Sequence, residues 1–350
     1  MITLQEIETR RSRLQTLWSL CFQQMDETET LFDGDIKVNI RKAAPGGTEG
    51  AKHIPPTAYH VVSAAAGAIL TEHVVITIPP WKETIEKQKG ADKLEKFAHA
   101  FLRLIDKSLP LPLLQMVKQT ALVYGLSVIK GPLWDPEAPD KPEKKSELAQ
   151  WEQQRREKFP VLFRILDPRT ITFDISTYPP CYVIEQDFRS VAEVEQLYGI
   201  ALEPEVGDDV SWTEYWDKDE VVYLAGGREV KRLENNGHFL RYIFVFTPFG
   251  HYPGTRFRVM DPAALIRGVL FPLRSSIKVQ AQAATDMVDI LTLFAKPKLH
   301  IKNLEDPTQT ERFRDPGSII TTEGSTTFEY IVPPPISSAV LEAYRITSAE

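Results

Sequence analysis

The stretch from Asp261 to Glu350 constrains the fold most, because its residue pattern changes from helical to β-rich and back to helical. Asp261 and Pro262 supply a helix N-cap and a proline at the first helical position. Pro272 predicts that the helix restarts or kinks there. The sequence therefore predicts an amphipathic helix over residues 261–294, with apolar positions at intervals of three and four. These positions are Leu273, Ile277, Ala281, Ala284, Val288 and Leu291.

A compact β-rich module is predicted over residues 295–336. Turn residues separate its candidate strands, which are Leu299–Ile301, Ser318–Thr322 and Thr326–Val332. Three prolines at 333–335 then predict a stiff, extended exit. Ser337 is a candidate N-cap for a second helix over residues 338–350. Because the sequence stops within this helix, we expect it to be part of a longer protein.

Residues 1–260 predict a mixture of helices and short strands, so the expected fold class is α+β. Helices are expected at 3–30, 57–71, 84–107, 111–124 and 191–198. Strands are expected at 36–40, 73–81, 126–129, 161–165, 170–173, 182–188 and 239–246, and as hairpins over 212–233. A polar insert at 137–158, with six acidic and six basic residues, predicts a solvated helix. The helix at 84–107 is expected to face a core with Leu94, Phe97, Phe101, Leu104 and Ile105.

Composition excludes several classes of protein. The formal net charge of −7 argues against a broad basic surface that grips nucleic acid. No apolar run approaches the length of a membrane-spanning helix. Two cysteines, Cys21 and Cys181, are too few and too far apart to predict a disulfide framework or a zinc site. The sequence therefore predicts neither a membrane protein nor a metal-stabilised one.

Motifs for catalysis are missing from the sequence. Residues 46–53 approach a phosphate-binding loop, but Ala51 and His53 stand where glycine and a hydroxyl residue are needed around Lys52. Asp33 and Asp35 flank a glycine and predict a turn rather than a cation site. Acidic residues at strand ends are expected to be solvated; they are Glu214, Asp217, Asp174 and Asp187. We therefore expect no enzymatic activity, no cofactor and no metal.

The order of short motifs between Tyr252 and Ile346 resembles the portal proteins of tailed bacteriophages. The motifs are Pro253-Gly254, the helix start at 261–266, Lys296-Pro297-Lys298, Pro316-Gly317-Ser318-Ile319-Ile320 and Val332-Pro333-Pro334-Pro335. Four segments before residue 252 are also similar to portal wings. These segments of the chain end in PPW at 79–81, WD at 134–135, YG at 198–199 and EYWD at 214–217. The similarity extends over most of the chain from about residue 55 onwards.

This resemblance implies a wing at residues 1–260, a first stem helix at 261–294, a clip at 295–336 and the start of a second stem helix at 337–350. The crown and tunnel loop of portals would follow this sequence. It also implies a ring of about twelve copies at one capsid vertex, in which each stem helix packs its apolar stripe, from Leu273 to Leu291, against neighbouring subunits. Double-stranded DNA would pass through the ring during packaging and ejection. The implied partners are the terminase large subunit, the major capsid protein, and head-completion and tail proteins. The implied location of the protein is the virion and, during assembly, the host cytoplasm.

A basic cluster lies where the resemblance locates the entrance to the clip. Lys296, Lys298, His300 and Lys302 alternate without an acidic residue between them. Such a strand either faces DNA or a partner, or is simply solvated. Arg274 and Lys278 of the stem helix either line the channel or pair with Asp286 and Asp289 of a neighbour.

Two other functions stay open at this point. A head–tail adaptor or scaffold protein would be a small species in solution. A metal-dependent DNA-processing enzyme would need clustered carboxylates and would cleave DNA in the presence of magnesium.

Overall fold

The structure is a computed structural model that describes residues 2–40, 50–69, 75–80, 84–134, 142, 146, 148–157, 161–177, 179–235, 240–250, 261–295, 298–302 and 327–331. The chain divides into two compact units. The first comprises Met1–Asp33 and Thr57–Arg274, and the second comprises Gly34–Pro56 and Ser275–Glu350. Helices and antiparallel sheets both occur, which confirms the predicted α+β class.

The helices of the first unit are α1 (Leu4–Phe32), α2 (Thr57–Ala68), α3 (Ile85–Ser108), α4 (Leu113–Tyr124), α5 (Leu148–Glu157), α6 (Val191–Tyr198) and α7 (Pro262–Leu265). Its strands are β1 (Leu126–Trp134), β2 (Val161–Leu166), β3 (Ile171–Phe173), β4 (Tyr182–Ser190), β5 (Asp209–Asp217), β6 (Glu220–Ala225), β7 (Arg228–Glu234) and β8 (Tyr242–Phe246). Helix α8 (Arg274–Ala295) continues into the second unit, which also contains β9 (Lys298–Lys302) and β10 (Thr327–Ile331).

Two antiparallel sheets organise the first unit. One has the order β3-β4-β5-β6-β7, so each strand pairs with the next along the chain. The other has the order β2-β1-β8. Buried residues of both sheets join one core, including Val128 and Phe244 of the smaller sheet and Val183 and Val222 of the larger sheet. The two sheets of this unit therefore share their main apolar contact surface.

Helix α1 is fixed at its start and along its apolar side. Thr3 and Glu6 form a capping box, in which the Thr3 hydroxyl accepts from the Glu6 amide and the Glu6 carboxylate accepts from the Thr3 amide. Further along, the fully buried Trp18 donates from Nε1 to the Phe173 carbonyl oxygen at 3.2 Å. Its ring meets the Phe173 ring edge-on at 4.8 Å between centroids. The predicted helix is thus confirmed, and its buried side includes Ile7, Leu14, Trp18, Cys21 and Met25.

The helix predicted continuously over 261–294 is interrupted. Residues 266–270 are not helical, a short 3-10 turn spans Phe271–Leu273, and the long helix begins at Arg274. The reason is tertiary: the Val269 amide donates to the Leu122 carbonyl oxygen at 2.8 Å, at the end of α4. A Cβ on Gly268 would lie only 2.1 Å from the Val123 carbonyl oxygen. Backbone contact with α4 therefore overrides the helical pattern at this point.

Gly125 closes α4 in the left-handed conformation, with φ +86. A Cβ at this position would lie 2.4 Å from the backbone nitrogen of Arg267. Alanine would therefore combine backbone strain with a clash against a backbone atom that cannot rotate away. Gly125→Ala is expected to lower the free energy of unfolding by about 3 kcal/mol, measured by chemical denaturation.

Gly199 offers a matched control for that substitution. It ends α6 at φ +69 with open space where a Cβ would stand. Gly199→Ala should therefore cost only the conformational strain, about 1 kcal/mol. Equal losses in the two variants would show that the close approach of Arg267 is unimportant.

Two predicted strands are absent from the described residues. Residues 36–40 and 75–80 are irregular, and their amides find side-chain acceptors instead of a neighbouring strand. The Ile78 amide donates to Glu95 Oε1 at 2.7 Å, and the Asn39 amide donates to Gln282 Oε1 at 2.8 Å. The residues of these segments favour strands, but no strand lies beside them in the described chain to complete a ladder.

The predicted core face of α3 is largely uncovered. Ile105 is buried, and the partly buried Phe101 meets Phe163 edge-on at 5.9 Å between ring centroids. In contrast, the exposed fractions of Leu94, Phe97 and Leu104 are 55%, 65% and 37%. The prediction that all five apolar residues face a core of their own chain is therefore wrong for these three.

Several predicted features lie outside the described residues. They are the Pro253-Gly254 loop, Lys296, the strand at Ser318–Thr322, the motif at 316–320, the proline exit at 332–335 and the second helix at 338–350.

Candidate functional site

Helix α8 carries the predicted packing stripe, and part of that stripe is buried within the chain. Ile277, Ala281 and Ala284 are buried and Val288 is half-buried, whereas Leu273 and Leu291 are exposed. Within the second unit, the described segments 34–40 and 50–56 each contact this helix. The two residues Asn39 and Gln282 exchange hydrogen bonds of 2.8 and 3.1 Å, as do His53 and Thr285 at 3.2 and 2.9 Å.

A second face of α8 points away from this covered side. Ser276, Val279, Ala283, Asp286 and Ile290 recur at intervals of three and four, which is the spacing of a helix-packing seam. Val279 is 62% exposed and Asp286 is exposed, while Ala283 and Ile290 are half-buried. Sequence reasoning missed this seam because only two of its five residues are large and apolar. We refer to these five residues as the α8 seam.

The predicted cations of the helix differ in their surroundings. Arg274 donates from Nη1 to Glu27 Oε2 at 3.1 Å, and its guanidinium lies 4.4 Å from the centre of the Phe271 ring. Lys278 is exposed. Of the two acids considered as partners across a subunit boundary, Asp286 is exposed and Asp289 is buried. Only Asp286 is therefore accessible to a cation of another molecule.

The described part of the basic cluster lies on a two-stranded ladder. Lys298, His300 and Lys302 are alternate residues of β9, as predicted. In the antiparallel register with β10, they stand opposite Ile331, Glu329 and Thr327, respectively.

An ionic cluster that the sequence did not reveal lies between the two sheets of the first unit. Lys130 of β1 donates to Glu185 Oε2 of β4 at 2.5 Å and to Glu214 Oε2 of β5 at 2.8 Å. The exposed side-chain fractions of these three residues are 7%, 6% and 4%. The prediction that Glu214 is solvated is therefore wrong.

Hydrogen bonds complete the cluster around both carboxylates. Glu214 Oε1 accepts from Arg189 and from Trp212 Nε1, both at 3.0 Å, and its Oε2 accepts from Trp216 Nε1 at 3.1 Å. Glu185 Oε2 accepts from the Tyr242 hydroxyl at 2.6 Å. Two cations therefore balance two carboxylates, and each carboxylate has at least two donors. Such a cluster fixes the position of one sheet against the other.

The two carboxylates of this ionic cluster have opposite pKa shifts. Burial, followed by the negative charge of Glu214, raises the pKa of Glu185 above its ordinary value, and Lys130 opposes this only in part. Burial also raises the pKa of Glu214, but the attraction of Lys130 and hydrogen bonds from Lys130, Trp212 and Trp216 together outweigh it. The pKa of Glu214 therefore lies below its ordinary value. Because the cluster is buried and both carboxylates are held by hydrogen bonds from the protein, we assign it a structural role.

Two further findings concern other kinds of site. In the part of the chain that the structure describes, no three His, Cys, Asp or Glu side chains are grouped so that they could hold a metal ion. None of the described helices has the length and apolar character needed to cross a membrane.

Comparison with known proteins gives similarity only at the level of solved structures. No protein-family model matches the chain, and no curated protein matches it. The chain is similar to a chain in the neck of an empty gene transfer agent particle, with a TM-score of 0.37 and 14% identity over 84% of this chain. It is also similar to a chain in the virion of a native gene transfer agent particle, with a TM-score of 0.32 and 12% identity; the match covers 83% of this chain and 71% of that one. The chain spans 64% of the length of the neck chain that it matches.

Proposed function

We propose that this chain is a portal protein, which forms a ring of about twelve copies at one vertex of a phage-like capsid. Double-stranded DNA enters and leaves through the ring, and the packaging terminase, the major capsid protein and head-completion or tail proteins dock on it. The protein itself catalyses no reaction. In this proposal, residues 1–260 form the wing, 261–294 the first stem segment, 295–336 the clip and 337–350 the start of the second stem helix.

The observation that carries the proposal is the order of α8, β9 and β10. A helix of 22 residues is followed after two residues by a strand, and that strand pairs over all five of its residues with a second strand much later in the chain. This is the helix-then-clip order on which the sequence resemblance to portals rests. A short ladder with two edges also suits a ring, because edge strands of adjacent copies can pair and leave no edge exposed.

The α8 seam supports the same proposal. One side of the helix is covered by residues of its own unit, while Val279 and Asp286 on the seam are open to another molecule. Every helix in a ring of side-by-side helices has two neighbours, and the seam offers a contact face for one of them. Leu273 and Leu291, exposed at the two ends of the original stripe, are further candidates for contact between subunits.

The charge of the chain suits a conduit better than a tight DNA clamp. Each copy has a formal net charge of −7, so a ring is strongly negative on average and DNA gains little from releasing counterions. We propose Lys278, Lys296, Lys298, His300 and Lys302 as the residues that face DNA or a docked protein, with Arg274 contributing where its pairing with Glu27 allows. Transient contacts of this kind permit DNA to slide.

Measurement of the assembly mass tests this function. Native mass spectrometry of the purified chain should give a closed ring of about twelve times the 39.7 kDa of one chain, and electron microscopy should reveal a central channel. A monomer that persists at high concentration would instead favour an adaptor or scaffold protein. Magnesium-dependent cleavage of plasmid DNA by the pure chain would point to an enzyme.

A further inference from the structure

An apolar stripe along α3 is exposed at three of its four large apolar residues, Leu94, Phe97 and Leu104. Gly90, Leu94, Phe97, Phe101, Leu104 and Ser108 recur at intervals of four and three, which is the spacing of a helix-packing seam. We refer to the four apolar members, Leu94, Phe97, Phe101 and Leu104, as the α3 stripe. Three of them are exposed, and the Phe97 and Phe101 rings stack at 5.8 Å between centroids. Contiguous exposed apolar residues of this kind mark a contact surface.

The exposed charges beside the α3 stripe are mainly positive. The helix has six Lys or Arg residues and four Asp or Glu residues. Two of the acids serve the chain's own backbone: Glu95 accepts from the Ile78 amide at 2.7 Å, and Asp106 accepts from the Leu113 amide at 2.8 Å. Lys93 and Lys96, which flank Leu94 and Phe97, are both exposed. A partner surface that is apolar and acidic would therefore match the stripe.

The segment of α6 and the turn that follows it is such a surface. Residues 191–209 contain six acidic residues and no basic ones. Leu197 and Val206 in this segment are 56% and 62% exposed. Glu193 lies one helical turn before Leu197 on the same side of α6, and Glu203 is exposed beyond the end of the helix. We refer to Glu193, Leu197, Glu203 and Val206 as the acidic patch.

We propose that the α3 stripe of one copy docks on the acidic patch of the next copy of this chain. The two surfaces belong to different elements, since α3 packs against β2 and α6 packs against β4. Contact between two different surfaces is head-to-tail, and repetition of such a contact produces a closed ring when the rotation per copy divides a full turn. The inference rests on the proposed ring and names two surfaces of the wing that hold it together.

Charge reversal provides a direct test. Lys93→Glu/Lys96→Glu and Glu193→Lys/Glu203→Lys should each raise the chain concentration at half assembly by about tenfold or more, because like charges would meet across the contact. All four substitutions in one chain should restore assembly to near the wild-type concentration, since each reversed stripe then meets a reversed patch. Phe97→Ser should also weaken assembly. Analytical ultracentrifugation measures each result, and circular dichroism checks that every variant is folded.

Controls separate this inference from the ring itself. Lys218→Glu, in the exposed turn between β5 and β6, should leave assembly unchanged. If the wild-type chain forms rings and the Lys93→Glu/Lys96→Glu variant forms them equally well, the docking inference is overturned and the portal proposal stands. If both paired reversals weaken assembly but the fourfold variant stays weak, the stripe and the patch do not meet each other. A wild-type chain that never assembles overturns both proposals.

Discussion

Replacing Lys130 with methionine is expected to lower the free energy of unfolding by about 4 kcal/mol at pH 7. Methionine keeps most of the apolar length of the side chain, so the change removes mainly the positive charge. Glu185 and Glu214 would then remain buried beside each other, with Arg189 as the one cation of the cluster still in contact with Glu214. Loss of one partner from a buried ion pair is costly because the other charge stays in a poorly polarisable interior.

The same substitution should change how stability depends on pH. In the wild-type protein the raised pKa of Glu185 gives a contribution that is present at low pH and is lost as pH rises through the folded-state value. The lowered pKa of Glu214 gives the opposite contribution, which is lost as pH falls through its folded-state value. Without Lys130 both folded-state pKa values rise. The deficit of the variant should therefore be largest at pH 7 to 8 and smaller near pH 5.

Urea unfolding at several pH values checks both expectations. Lys218→Met, at an exposed turn, serves as the control and should stay within about 0.5 kcal/mol of the wild type throughout. Lys130→Met/Glu185→Gln removes one of the two facing carboxylates and should recover part of the loss. A Lys130→Met variant with the same deficit at pH 5 and pH 8 would contradict the pKa assignment.

Local patterns predicted the parts of the fold that depend on local interactions. The periodicity of α1 and the pairing of Thr3 with Glu6 are both visible in the sequence, and the helix begins one residue from the predicted position. The hairpins of β5 to β7 were also predictable, since their turns carry the Asp217–Asp219 segment and the pair Gly226 and Gly227. These elements form where the residues that stabilise them are close in sequence.

Features that depend on distant residues were not predictable in this way. Glu214 is buried because Lys130, 84 residues earlier, reaches it from the other sheet. Residues 266–270 leave the helix because they contact the end of α4, where the Leu122 carbonyl oxygen accepts from the Val269 amide. For α3, the sequence correctly predicted an apolar stripe but could not tell whether the chain itself would cover it. The spacing of apolar residues identifies a surface that needs to be covered. The tertiary structure decides whether the same chain or another molecule covers it.

Replacing Val279 with glutamate is expected to prevent ring assembly while leaving the chain folded. Val279 is 62% exposed, so a charged side chain there costs the isolated chain almost nothing. In the proposed ring it faces the stem helix of a neighbour, where glutamate would be desolvated next to Asp286 of the same seam. Because every subunit boundary repeats the defect, the loss accumulates around the ring. Native mass spectrometry should find monomers at concentrations where the wild type is fully assembled.

Val75→Glu is the matched control, since it makes the same chemical change at a residue that is 79% exposed and lies outside the α8 seam. Its mass distribution should equal that of the wild type, and thermal unfolding should show both variants to be as stable as the wild type. If Val279→Glu assembles as well as Val75→Glu does, the seam does not contact another subunit. The seam would then face solvent, and the reason for placing α8 around a shared channel would disappear.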